Sequence, residues 1–145
     1  MHRIRGEQGT AILEAAVTLP MVLLIAVGIF EFGRAYQTWQ ILTNAAREGA
    51  RIAVLADATD SGVQSRVRDC MQGGQLANYG TAAVTVNRNA SITVNGLAVS
   101  SSRVSVDYPF DFVVLQPVAR LIKPDAAVGS PLTMHAEVMM RNESQ

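Results

Sequence analysis

The chain has 145 residues, a formal net charge of zero and a 49% hydrophobic share. That length suits one domain, and its basic residues, eleven Arg and one Lys, are scattered rather than clustered, so no nucleic-acid partner is expected. Cys70 is the only cysteine and His2 and His135 the only histidines, which excludes an internal disulfide and a metal site of ordinary spacing; no cofactor is expected.

The apolar residues gather in the N-terminal third. Sixteen residues from Ala15 to Phe30, AAVTLPMVLLIAVGIF, pass without a charge. With Ala11 to Leu13 before Glu14 and Phe32 after Glu31, the run reaches about 20 residues, enough to cross ~30 Å of hydrocarbon. Three readings fit such a run: a buried helix of a soluble protein, a secretory signal peptide cut near Ala26–Gly28, or a retained transmembrane helix. The length opposes the first. The acid at Glu14 and the lack of a helix breaker after the cut oppose the second. Arg3 and Arg5 precede the run and favour a cytoplasmic N-terminus, although Glu7 and Arg34 reduce the asymmetry. Pro20 should kink the helix.

Glu14 is the anomaly. An ionised carboxylate in hydrocarbon costs a few kcal/mol, so it either reaches water at headgroup level or has a partner. The residues before it read Gly9-Thr10-Ala11-Ile12-Leu13. A short basic leader ends in glycine, and glutamate stands fifth after it. This resembles the processing site of type IV pilin-like proteins. The resemblance implies that a prepilin peptidase cuts between Gly9 and Thr10, leaving Glu14 as the fifth mature residue. Glycine, lacking Cβ, allows close approach to an extended scissile backbone. The freed amine would be a natural counter-ion for Glu14 of a neighbouring subunit, since an unpaired buried charge is costly.

Beyond Phe32, the residues Ala35, Trp39, Leu42, Ala46, Gly49, Ala53 and Ala56 follow 4-3-4-3 spacing, one stripe of a helix. Gln37, Asn44, Glu48 and Arg51 occupy much of the other side, with Glu48 and Arg51 placed for an i,i+3 pair. The stripe is small at Ala46, Gly49 and Ala53, where another backbone can come close. One helix is expected from about Thr10 to about Leu55, roughly 70 Å long. Its first half would lie in lipid and its second would be the spine of a head.

This region resembles the TadE-like family, the pseudopilins or minor pilins of the tight-adherence pilus. The carrying elements are Gly9 with Glu14, Pro20 in the apolar run, EFGRA at Glu31–Ala35 and LTNAAREGAR at Leu42–Arg51. VSVDYPFDFVVLQP at Val104–Pro117 and LTMHAEVMMRNE at Leu132–Glu143 are similar to its C-terminal strands. Ala15 departs from the aromatic or aliphatic residue usual after the glutamate. The resemblance implies a single-pass protein of the bacterial inner membrane with its head in the periplasm or outside the cell. It also implies membrane lipid, a prepilin peptidase, a related minor pilin and other pilus assembly subunits as partners.

The remaining sequence reads as the head. Asp57–Ser61 is a turn, and Asp60 or Ser61 is a candidate cap for a short helix that places Val63, Val67, Cys70 and Met71 on one face and stops at Gly73–Gly74. Cys70 either packs there as a small apolar residue or pairs with another chain. Period-two alternation then predicts strands around Val84 and Val86, Ile92 and Val94, Val104 to Phe110, and Leu132 to Met140, with a turn at Asn87–Ala90. Pro109 marks a strand end, edge or bulge. Phe112–Ile122 reads as a loop plus a short helix after Pro117, with apolar residues facing a partner or the membrane. His135 falls on the solvent side, while Trp39, Tyr108, Phe110 and the Met139-Met140 pair are expected in the core.

The expected fold is α+β and pilin-like: a leader over 1–9, a transmembrane helix over 10–33, and over 34–145 the helix continuation with a head built on a small antiparallel sheet. No nucleophile, phosphate-loop or metalloprotease motif occurs, so a structural assembly protein with no small-molecule substrate is expected. The alternative is a singly anchored extracytoplasmic binding module that enters no pilus.

Overall fold

The computed structural model describes residues 4–123, 125, 127 and 129–142; Arg3 of the leader and Glu143 of the last motif lie outside them. In chain order the elements are α1 (Ile4–Ala53), α2 (Asp60–Gly73), a 3-10 turn (Tyr79–Thr81), β1 (Ala83–Val94), β2 (Leu97–Phe110), α3 (Leu115–Ile122) and β3 (Leu132–Arg141). The architecture is α+β, a long N-terminal helix on a three-stranded antiparallel sheet in the order β1-β2-β3. α1 begins earlier than the expected Thr10, because Gly6 and Gly9 weaken a helix by only about 1 kcal/mol each and no proline precedes them. The chain divides into two compact units, Met1–Arg34 with Phe112–Gly129 and Ala35–Asp111 with Ser130–Gln145.

The second unit is the head. Its core joins Leu42, Ala45, Ala46, Ala50 and Ala53 of α1 to Val63, Val67 and Met71 of α2, and to Val104, Val106, Tyr108 and Phe110 of β2. Gly49 is where the elements meet. A Cβ there would stand 2.5 Å from Val67 Cγ2 and 3.3 Å from Val104 Cγ1, so α2 and β2 both close on a bare α1 backbone. The expected stripe is thus buried from Leu42 to Ala53, while Ala56, past the end of α1, is exposed. Ala35 is half-buried, and Trp39 departs from the expectation at 48% exposed. The polar Thr38 takes the covered position one residue earlier, and the indole packs instead near Tyr36, ring centroids 6.2 Å apart.

Two local expectations are corrected. Thr59, not Asp60 or Ser61, caps α2: its hydroxyl accepts from the Gly62 amide at 3.1 Å, and its own backbone is extended. The segments around Val84 and Ile92 are one strand, not two. Asn87–Ala90 is no turn; the register slips there by one residue, so Arg88 and Asn89 bulge opposite Ser102. The reversal lies at Asn95-Gly96, both with positive φ, between the paired Val94 and Leu97. Such a two-residue Asn-Gly loop matches the twist of a hairpin.

The bulge has a consequence for packing. It aims Arg88 at the end of α1, where its guanidinium donates to the carbonyls of Leu55, at 3.2 Å, and Ala58. Ser102, opposite the bulge, is buried and donates to the Ala53 carbonyl at 3.1 Å. The Ala53 carbonyl, which the helix C-terminus leaves without an intrahelical partner, and two carbonyls of the α1–α2 connection thus accept from the sheet. On the open face His135 stands opposite Asp107, Nδ1 to Oδ1 2.7 Å, both side chains largely exposed.

The first unit pairs the apolar half of α1 with α3. Along α1 the large side chains from Ile12 to Phe30 are exposed, apart from the half-buried Val27. Thr18 donates to the Glu14 carbonyl at 2.9 Å, and Pro20 sits inside the helix without breaking it. α3 begins at Leu115, before Pro117; proline is tolerated there because a first-turn amide has no helical partner to lose. The chain after α3 returns over its start. Gly129, at φ +76°, lies where a Cβ would be 2.7 Å from the Gln116 amide nitrogen, so both backbone angle and space require glycine.

Candidate functional site

The residues singled out from the sequence occupy one helix. Gly9 and Thr10 lie within α1 and are exposed, and a Cβ at Gly9 would meet nothing within 4 Å. The bond between them is open to a protease, but it is helical. Cleavage in an extended conformation requires a local turn of α1 to unwind, and glycine lowers that cost by about 1 kcal/mol relative to alanine.

Glu14 lies a little over one turn further on. Its side chain is exposed, and its carboxylate has no hydrogen-bond or ion-pair partner among the described residues. Its neighbours Ile12, Leu13 and Val17 are exposed as well. A carboxylate set in an apolar, uncovered helix surface is compatible with a partner supplied by another chain, and the described residues offer none of their own.

The same helix holds a second acid that reading from the sequence passed over except as a boundary and a motif residue. Glu31 is 1% exposed, the most buried ionisable group among the described residues. One carboxylate oxygen accepts from the backbone amides of Val114 at 2.5 Å and Leu115 at 3.3 Å. The other accepts from the Arg34 guanidinium at 2.7 Å. Val114, the N-cap of α3, has no side chain able to cap. Glu31 supplies from α1 the acceptor that serine or aspartate normally supplies locally, and its negative charge faces the positive end of the α3 dipole. The available signal was the one used for Glu14: an acid in an apolar run demands a partner. Arg34 stands three residues away, but the amides come from residues 83 and 84 positions distant.

In the head, Glu48 lies between two cations, 2.8 Å from Arg66 and 3.8 Å from Arg51. The Arg66 hydrogen bond is the main reason that its carboxyl titrates below the usual glutamate range. The pair with Arg51 was legible from i,i+3 spacing; the closer pair with Arg66 of α2 was not. Cys70 is a half-buried free thiol. No group of His, Cys, Asp or Glu able to hold a metal occurs among the described residues.

The model of the family described as TadE-like protein matches residues 9–51. That stretch runs from Gly9 through Glu14, Glu31 and Arg34 to Arg51, and so takes in Ala46 and Gly49 of the small-residue face on α1. The resemblance read from the sequence is therefore shown over this part of the chain. No curated protein and no solved structure matches the chain.

Proposed function

We propose that this chain is a TadE-like pseudopilin or minor pilin: a single-pass subunit, cut by a prepilin peptidase between Gly9 and Thr10, that supports assembly of a tight-adherence pilus. The observation that carries this reading is a coincidence in one helix. The TadE-like match begins at Gly9, and the same helix is long and apolar enough to cross a membrane, with its most apolar stretch uncovered. Glu14, fifth after that glycine, lacks a partner among the described residues.

The physical roles follow. Cleavage at Gly9 frees the Thr10 amine one turn from the membrane-embedded acid. Two charges of opposite sign on adjacent subunits then neutralise each other, provided that the subunits are in register. The chain acts as a substrate at Gly9–Thr10 and as a subunit through Glu14, with its head on the far side of the inner membrane.

Intact mass and N-terminal sequencing of protein from its native membrane test the reading: the mature chain should start at Thr10. Gly9→Arg should abolish leader removal and fibre formation together. Native protein that keeps Met1 while fibres form would overturn it and leave an anchored binding module.

A further inference from the structure

α3 presents an unusual surface for its size. At 100° per residue, Pro117, Leu121, Val118, Leu115 and Ala119 spread over roughly 200° of arc, while Gln116 and Arg120 share the remainder. The apolar arc is only partly covered: Leu121 is 89% exposed, and Val113, just before the helix, is also exposed.

The location of α3 says what can cover it. Val118 lines an apolar groove of about 620 Å³ whose other walls are Pro20, Met21, Leu23, Leu24 and Val27 of α1. These belong to the run read as membrane-spanning, and Glu31, near the end of that run, holds the first amides of α3. α3 therefore starts at the level of Glu31 and reaches back along the span. At that depth the medium beside Leu24 is hydrocarbon, and it is continuous with the medium beside Leu121. The lining also disfavours another helix, because close helix packing in lipid uses small residues, and four of the five α1 walls are Met, Leu or Val. Arg120 and Lys123, both exposed, stand where long cationic chains can reach lipid phosphates.

We propose that α3 is an interfacial membrane helix, seated by Glu31 in the leaflet at that end of the α1 span, and that lipid acyl chains fill its groove with α1. This rests on α1 crossing the bilayer. The Glu31 carboxylate, held by two amides and Arg34, is what permits an acid there: all its charge is matched before lipid closes around it. α3 adds a second membrane contact beside the span, which resists rotation of α1 about its own axis.

The test uses the full-length chain with Cys70→Ser, in vesicles of phosphatidylethanolamine and phosphatidylglycerol. Single nitroxide labels are placed through Leu24→Cys, Leu121→Cys and Ser65→Cys, and collisions with oxygen and with a water-soluble nickel chelate are compared. Leu24 reports the span and Ser65, exposed on α2, reports water. The expected result is an oxygen-to-nickel ratio at Leu121 severalfold above that at Ser65 and close to that at Leu24. Adding Glu31→Ala should bring Leu121 toward the Ser65 value. A Leu121 ratio equal to Ser65, with Leu24 still in lipid, overturns the proposal and leaves the anchor intact. Protection of Leu121 from both reagents also overturns it, because a protein then covers the face. A Leu24 label open to nickel sinks the anchor reading itself, and this proposal with it.

Discussion

The two halves of α1 obey the same rule by opposite means. From Leu42 to Ala53 the residues that face the head are covered, and after Leu42 they are small, with no room even for a methyl group at Gly49. From Ile12 to Phe30 most side chains are large, and all the large ones except the half-buried Val27 are uncovered. Apolar surface must leave water in both cases. The second half achieves this within its own chain, whereas the first needs a medium that the chain does not contain. The acids repeat the contrast: Glu31 is matched internally, and Glu14 is not.

Matched truncations give the largest contrast. Leu42→Ala removes a wholly buried side chain and should lower folding stability by about 3 kcal/mol. Leu24→Ala makes the same chemical change on the uncovered half and should stay within about 0.5 kcal/mol. Denaturation of the full chain in detergent, followed by the near-ultraviolet signal of the head, measures both. Equal losses would mean that the first half is packed against protein after all. Gly49→Val should follow Leu42→Ala at about 2 kcal/mol, because α2 or β2 must move to admit it.

The acids offer a smaller and more local contrast. Glu31→Ala removes the acceptor for two α3 amides. At about 1.5 kcal/mol for a hydrogen bond to a charged group, exchange of the Val114 and Leu115 amides should speed up about tenfold, read by hydrogen–deuterium exchange with mass spectrometry. Glu14→Gln should leave those amides and membrane insertion unchanged and depress pilus assembly alone. Unaltered assembly would remove Glu14 from the proposed subunit contact.

What the sequence disclosed follows the range of the forces involved. The α+β class, the long helix, its small face at Ala46, Gly49 and Ala53, and the strands at Val104–Phe110 and Leu132–Met140 all rest on local periodicity, and all are present. Trp39 went astray because an apolar residue on the flank of a stripe is covered only where the head reaches it. Asn87–Ala90 differs from the expected turn because polar residues mark a bulge as readily as a turn, and Asn95-Gly96 is the stronger turn signal. Of the candidate site, Gly9, Thr10 and Glu14 are legible as a spaced motif whose role is the proposal above. Glu31 is not, since its meaning depends on a helix more than 80 residues away. Partners joined by tertiary contact leave no periodic trace, and Arg66 and Glu48 are a second case.

That last pair supplies the smallest test, and it works through pH. Glu48 titrates below its ordinary value of 4.5, chiefly because Arg66 donates to its charged form. The native state therefore releases this proton at a lower pH than the unfolded state does. Between the two values the unfolded chain binds more protons, and stability rises with pH. The contribution is complete above the unfolded value and is lost as pH falls through the native one. Glu48→Gln, compared with the parent chain by thermal denaturation, should thus lower Tm slightly at pH 7, and the difference should disappear in acid. Arg66 is exposed and Glu48 half-buried but open to solvent, so the gap should also narrow in high salt. A gap that survives acid unchanged would mean that Glu48 supports the α1–α2 junction through its shape or its neutral hydrogen bonds, not its charge. The head would then hold α2 to α1 by apolar contact at Gly49, Val63 and Val67, with the ion pair contributing nothing measurable.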